Sequence, residues 1–105
     1  MIDEKTKQRS LRTKQLYDMK NEENGQKKWG TTEYMSGYVK DVGDLSKLIM
    51  VKSGLRGFDG DIDHALKHEI GDNFWSLSMI CDELGISPEG AIETVLNDLE
   101  ERSAV

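Results

Sequence analysis

Four carboxylates stand out because they recur, at a spacing of three residues, in two separate segments of the chain. Asp41 and Asp44 form the first pair, and Glu69 and Asp72 form the second. On a helix, which turns about 100° per residue, the first pair borders an apolar stripe, and the second pair lies between two apolar faces. The spacing therefore predicts that these acids are at least partly enclosed.

Enclosed carboxylates need compensating charge. Without it, each would cost on the order of several kcal/mol or would be protonated. The predicted third helix offers one basic side chain apart from its histidines, Lys67, whose angle points it away from the acids. Oxygen ligands are the ones that hard divalent cations prefer. We therefore expect Asp41, Asp44, Glu69 and Asp72 to bind Mg²⁺, with Mn²⁺ as an alternative.

The elements that must position these acids are predicted to be helices. Apolar residues recur every three or four positions and almost never alternate, which is typical of an all-α protein. We predict a first helix over roughly residues 3–23 and a second that is capped by Thr31 or Thr32 and ends near Ser53-Gly54. A third should start at Asp59 or Asp61 and end before Gly85, and a fourth should follow the Ser87-Pro88 signal and fray after Arg102.

A chain of 105 residues fits one domain. We divide it into a polar N-terminal helical segment, residues 1–28, and a helical core, residues 29–105. The second and third helices should pack antiparallel because a short loop joins them. The third helix has two apolar faces to cover, so we expect a homodimer or homotetramer, with Trp75 and Met79 at the subunit interface.

Composition narrows the choice of partners. Twenty acidic and fourteen basic residues give a net charge of −6, and no basic stripe crosses the central or C-terminal part, so a nucleic-acid partner is not expected. No apolar run is long enough to span a membrane, and no signal peptide is evident. The single cysteine, Cys81, excludes an intramolecular disulfide framework. We therefore expect a cytoplasmic protein without a membrane partner.

The acidic segments resemble those of the MazG-like, all-α nucleoside triphosphate pyrophosphohydrolases. That family has Glu-x-x-Glu on one helix and Glu-x-x-Asp on the next, and the corresponding stretches here are VKDVGDL (39–45) and HEIGDNFW (68–75). The segment DELGISPEGA (82–91) resembles the family's passage into its following helix. The resemblance covers roughly residues 29–102 and implies a four-helix bundle that is completed by oligomerisation. Asp41 and Asp44 occupy positions where the family usually has glutamates. Each of these side chains is therefore one methylene shorter than in the family.

This resemblance implies Mg²⁺-dependent hydrolysis of a ribo- or deoxynucleoside triphosphate to the monophosphate and pyrophosphate, with nucleotide-pool house-cleaning as the expected role. Phosphoryl chemistry of this kind needs charge neutralisation and an activated water. We expect Asp41 and Glu69 to be catalytic as well as metal-binding, with Asp41 orienting the water. The expected substrate-binding residues are Trp29, Lys47, Lys52, Arg56 and Asn97.

Other functions compete with this one. A non-catalytic helical interaction module could keep the fold without efficient chemistry. His64, His68 and Asp72, spaced by four, could instead bind zinc with Glu69 as base. The aspartates of residues 59–63 begin like an EF-hand loop, but His64 and Ile70 occupy positions that need glycine and glutamate.

Overall fold

The computed structural model describes residues 3–103, which form four helices and no strand. The helices are α1 (Glu4–Glu23), α2 (Thr31–Lys52), α3 (Ile62–Leu84) and α4 (Pro88–Ser103). The all-helical class and the four predicted elements are thereby confirmed. Within the described range, no helix combines the length and the apolar character needed to cross a bilayer.

The helix ends follow the local signals in the sequence. The Asp3 carboxylate accepts a hydrogen bond from the Thr6 N–H, and Asp61 accepts from the N–H groups of Asp63 and His64. Ser87 accepts from the Gly90 N–H at 3.1 Å, directly before Pro88. Side chains of this kind satisfy N–H groups that a helix start leaves without an intrahelical partner.

Two details of the helix ends depend on backbone conformation. Gly85 follows α3 with a φ of +67°, a left-handed conformation that favours glycine, and the Ile86 N–H donates to the Cys81 carbonyl oxygen. The start of α2 differs from the prediction, since its cap residue is Gly30, which provides no side-chain hydrogen bond. Thr31 and Thr32 lie inside the helix, so neither of them caps it.

The chain separates into two compact units, residues Met1–Lys28 with Cys81–Val105, and residues Trp29–Ile80. The division predicted from the sequence, residues 1–28 and 29–105, stays a prediction. Within the first compact unit, the Lys14 ammonium lies 3.2 Å from the Asp82 carboxylate and 2.6 Å from that of Glu83. Its side chain is only 16 % exposed. These ion pairs connect α1 to the end of α3.

The second unit is a helical hairpin of α2 and α3. The Asn73 amide and the Ser76 hydroxyl, on α3, both bond to Asp41 on α2. Toward the hairpin loop, the Lys52 ammonium lies 2.7 Å from the Asp63 carboxylate. A later residue of α2 therefore pairs with an earlier residue of α3, so the two helices are antiparallel, as predicted.

The single chain buries few apolar side chains of the hairpin. Tyr34 and Met79 are the buried apolar side chains within residues 3–103, and Trp75 stacks edge-on against Tyr34 with ring centroids 6.0 Å apart. Val42 and Phe74, by contrast, are 45 % and 44 % exposed. The assignment of Met79 to a subunit interface is therefore wrong, because the chain already leaves it only 1 % exposed.

Candidate metal centre

The hairpin brings the predicted carboxylates together in two overlapping groups. In the first group, Asp41, Asp44 and Glu69 each have a carboxylate oxygen within 4.8 Å of the others. In the second group, one ligand atom from each of His68, Glu69 and Asp72 meets the same limit. Glu69 belongs to both groups, so the four acids form a chain of neighbours centred on this residue.

Asp41 is held by α3 at both its main chain and its side chain. The Ser76 hydroxyl donates a 2.7 Å hydrogen bond to Asp41 Oδ2, and Ser76 is only 6 % exposed. The Asn73 amide nitrogen donates to the carbonyl oxygens of Asp41 and Glu69, at 3.2 and 2.9 Å. Because Asn73 bonds to one carbonyl on each helix, it fixes the local register of α2 and α3 and therefore the approach of the two acidic pairs.

The other two carboxylates have partners on their own helices. The Lys40 ammonium lies 3.0 Å from Asp44 Oδ2, and His68 Nδ1 lies 3.4 Å from Asp72 Oδ2. Asp44 and Asp72 also have the more open side chains, 37 % and 47 % exposed. These two residues therefore form the solvent-facing rim of the cluster, where a cation or a phosphate can enter.

Glu69 is the carboxylate with the least compensation. Its Oε1 is buried and has no hydrogen-bond partner among the described residues, although the side chain as a whole is only half-buried. Burial raises the pKa of Glu69 above its ordinary value, and the neighbouring charges of Asp72, Asp41 and Asp44 raise this pKa further. A buried oxygen without a partner, among like charges, is the position where a cation would stabilise the fold most.

The donor set fits a hard divalent cation. Two oxygens on opposite sides of a Mg²⁺ ion are about 4.2 Å apart, because Mg–O bonds are roughly 2.1 Å long. Oxygens on neighbouring corners of the Mg²⁺ octahedron are only about 3.0 Å apart. The three oxygens of the first group, which lie within 4.8 Å of one another, would therefore move closer by up to roughly 1.8 Å when they bind one ion. Glu69 could be shared by two ions, one in each group. His68 also gives the second group a nitrogen donor, which Zn²⁺ and Mn²⁺ accept more readily than Mg²⁺.

The basic residues predicted to bind phosphate occupy different surroundings. Lys47 on α2 and Arg56 in the loop between α2 and α3 are exposed. Lys52 forms an ion pair with Asp63 that closes the loop end of the hairpin, so a phosphate would have to compete with that carboxylate. The structure therefore leaves Lys47 and Arg56 more accessible than Lys52.

Trp29 takes part in the start of α2. It directly precedes the cap residue Gly30, and its ring meets that of Tyr34 edge-on with centroids 5.5 Å apart. This contact is the hydrophobic staple that fixes the chain at a helix entry. Trp29 remains 46 % exposed, so its outer surface is open to stacking. Asn97 lies exposed on α4, in the other unit.

The zinc alternative assembles only in part. His68 and Asp72 belong to the second group, but His64 belongs to neither of the groups found among residues 3–103. The backbone N–H of His64 donates to the capping carboxylate of Asp61, at the first turn of α3. A zinc site in this position would therefore use Glu69 as a ligand in place of His64.

Three residues that contact the acidic cluster, Lys40, Asn73 and Ser76, were not predicted as site residues from the sequence. Lys40 has an i, i+4 spacing to Asp44, which is a recognisable signal for an ion pair. Ser76 lies on the same helical sector as Glu69 and Asp72, but nothing local shows that its hydroxyl meets a carboxylate of α2. Asn73 carries no signal at all in the sequence, because its two acceptors are main-chain carbonyls.

Comparison of the whole chain with protein-family models, curated proteins and solved structures gives no match in any of the three. The resemblance to the MazG-like enzymes therefore stays a prediction from the acidic motifs of the sequence.

Proposed function

We propose that this protein is a metal-dependent nucleoside triphosphate pyrophosphohydrolase of the MazG-like type, which releases pyrophosphate and a nucleoside monophosphate. The observation that carries the proposal is the convergence of Asp41, Asp44 and Glu69, from two antiparallel helices, within 4.8 Å. The buried Oε1 of Glu69 supports it because this oxygen has no hydrogen-bond partner among the described residues. Cytoplasmic nucleotide-pool house-cleaning is the role that we propose for this activity.

In this proposal, Asp41, Asp44, Glu69 and Asp72 hold Mg²⁺ or Mn²⁺, which supplies charge neutralisation at the phosphate oxygens. Asp41 orients the attacking water, since Ser76 and Asn73 fix its carboxylate and its main chain. Glu69, whose carboxylate belongs to the same group as that of Asp41, would accept the proton of that water.

The proposed contacts to the substrate are those expected from the sequence. Lys47 and Arg56 are exposed cations suited to the triphosphate, and Lys52 can join them if its ion pair with Asp63 opens. The exposed surface of Trp29 offers a stacking platform for the base. Asn97 is retained as a candidate contact to the nucleotide.

The test is an assay of pyrophosphate release. Chelator-treated protein, at micromolar concentration, is incubated with Mg²⁺, Mn²⁺ or Zn²⁺ and with canonical and modified ribo- and deoxynucleoside triphosphates. We expect release with Mg²⁺ or Mn²⁺, and loss of release in Glu69→Gln but not in Glu100→Gln, an exposed position on α4. Release that requires Zn²⁺ would favour the His68-containing group as a zinc site. No release with any combination refutes the hydrolase.

A non-catalytic interaction module is the second candidate. It is favoured by the short arms of Asp41 and Asp44 and by the Lys40 ammonium, which already neutralises part of the charge of Asp44. Such a protein would bind a cation for stability alone. Mn²⁺ binding without any pyrophosphate release is the result that would identify this module.

We also propose that the protein is a homodimer or homotetramer. Within residues 3–103, the buried apolar side chains are Tyr34 and Met79, whereas large apolar side chains on all four helices are at least 40 % exposed. Extensive exposed apolar surface is typical of interaction sites in soluble proteins. Self-association would complete burial that a chain of this size does not achieve alone.

A further inference from the structure

Lys40 places a positive charge directly on the acidic cluster. Its ammonium lies 3.0 Å from Asp44 Oδ2, one helical turn further along α2. Among the described residues, no other lysine or arginine forms an ion pair with Asp41, Asp44 or Glu69. His68, in the second group, is charged only when it is protonated. The proposed hydrolysis assigns no role to this lysine.

The charge of Lys40 acts on more than its nearest partner. The hydrogen bond to Asp44 raises the pKa of Lys40, and the negative charges of Asp41 and Glu69 raise this pKa further. These three acids are the first group, whose carboxylate oxygens lie within 4.8 Å of one another. The ammonium therefore offsets part of the negative charge that a divalent ion would neutralise.

The contact between Lys40 and Asp44 can open without disturbing the fold. The two side chains are 77 % and 37 % exposed, and an exposed ion pair of this kind contributes little to stability. The flexible four-carbon stem of lysine lets its ammonium move into solvent. Asp41 differs, because the buried Ser76 hydroxyl donates to its carboxylate at 2.7 Å. Asp44 is therefore the carboxylate of the first group that can most readily exchange its partner.

We propose that Lys40 is an internal counter-ion of the acidic cluster, which pairs with Asp44 in the metal-free protein and is displaced when a divalent cation binds. This inference rests on the metal centre of the proposed function. The metal ion and the ammonium compete for one carboxylate. If Lys40 stays in place, it repels the ion, and if it leaves, its ion pair is lost. In both cases Lys40 lowers the affinity of the centre for the metal.

The size of this effect follows from the 3.0 Å pair. A Mg²⁺ ion bound to Asp44 Oδ2 would lie at most about 5 Å from the ammonium while the pair is closed, because Mg–O bonds are roughly 2.1 Å long. Repulsion between one and two unit charges at this separation corresponds to a factor of about 15 in the binding constant, in the dielectric of water. Salt screening and withdrawal of the flexible side chain reduce this factor to about 3–10.

The experiment measures the Mn²⁺ affinity of chelator-treated protein by electron paramagnetic resonance at low ionic strength. Lys40→Met has a side chain of similar length without the charge, and it should bind Mn²⁺ about 3–10-fold more tightly than the parent. Lys40→Arg keeps the charge and should stay close to the parent. Lys28→Met is the matched control, because Lys28 pairs with Glu22 at 3.3 Å in the other unit, and it should leave the affinity unchanged.

Two further measurements separate competition from damage to the fold. At one fixed Mn²⁺ concentration, the ion should raise the Tm of Lys40→Met more than that of the parent, because tighter binding stabilises the folded state more. The difference in affinity should shrink in about 0.5 M salt, which screens the charge of Lys40.

The outcomes distinguish this inference from the proposed function. If the parent binds Mn²⁺ and Lys40→Met binds it equally or more weakly, the inference is overturned while the metal centre stands. Weaker binding is the result expected of a residue that only orients Asp44. A parent that binds no Mn²⁺ overturns both the inference and the metal-dependent function.

Discussion

Replacing Glu69 with glutamine should have opposite effects on the stability of the metal-free and the metal-bound protein. Burial raises the pKa of Glu69, and the charges of Asp72, Asp41 and Asp44 raise it further. An acid whose pKa is higher in the folded than in the unfolded state destabilises the fold when it is ionised. This penalty is absent below the unfolded-state pKa and grows as the pH rises toward the folded-state value. At neutral pH it is present, and glutamine removes it.

The size of the effect follows from the geometry. At 4.8 Å, the limit that defines both groups, two unit charges repel by about 0.9 kcal/mol in the dielectric of water. Three carboxylate neighbours together give roughly 2–3 kcal/mol in the dielectric of water, which salt screening and side-chain relaxation at this half-exposed site reduce to about 1 kcal/mol. In a domain of this size, 1 kcal/mol corresponds to about 4–8 °C in Tm.

The assay is thermal unfolding by circular dichroism between pH 4 and pH 8, in chelator and in Mg²⁺. In chelator, Glu69→Gln should melt about 4–8 °C above the parent at pH 7, and the difference should shrink toward pH 4. With Mg²⁺ at ten times its Kd, the parent should gain about 1.4 kcal/mol, whereas the variant should gain nothing. Glu100→Gln is the control for loss of one negative charge. A variant less stable than the parent in chelator at pH 7, or one that responds fully to Mg²⁺, would refute the reasoning.

Three further substitutions test particular contacts. Ser76→Ala should weaken Mn²⁺ affinity about 10-fold or more, because it removes the hydrogen bond that holds the carboxylate of Asp41. The affinity is measured by electron paramagnetic resonance. Ser78→Ala is the control, because it loses only a hydrogen bond within its own helix and should leave the affinity unchanged. Equal affinities in the two variants would contradict a positioning role for Ser76. Ser87→Ala should lower the free energy of unfolding by about 1 kcal/mol through loss of the α4 cap, and an unchanged urea midpoint would show that the cap contributes nothing. Trp29→Ala should lower Tm through loss of the staple on α2, and if Trp29 also stacks on the base it should raise KM with little change in kcat.

The limits of the four helices were predictable because the signals that define them are local. Asp61 and Ser87 accept hydrogen bonds from N–H groups two or three residues away, and Gly85 needs only its own φ to end α3. Thr31 and Thr32, the first two residues of α2, were predicted as its cap, but the helix begins at the Gly30 backbone without a side-chain cap. Local preference places a residue near a helix start but does not decide which residue is the cap.

The convergence of the acids follows from the sequence to a similar extent. A spacing of three puts Asp41 beside Asp44, and Glu69 beside Asp72, on any helix. The short loop makes the hairpin antiparallel, so that the two pairs can meet. The register of the two helices decides which acids form a group. In this register, Glu69 meets Asp41 and Asp44, whereas Asp72 pairs with His68. Asn73 fixes that register by donating hydrogen bonds to main-chain carbonyls. Every residue has such a carbonyl, so no sequence pattern predicts this role of Asn73.

The sequence by itself determined which residues are helical, where the helices end and which side chains carry charge, because hydrogen bonds within a few residues control these properties. Only the tertiary structure decided which side of each helix is covered. Met79 and Phe74 are both apolar residues of α3, yet one is 1 % exposed and the other 44 %. Helical periodicity shows that a residue is apolar and on which side it lies, but burial depends on the neighbour that packs there. The same physics explains why Glu69, which a helical wheel places with Asp72, has a buried oxygen while Asp72 lies at the rim.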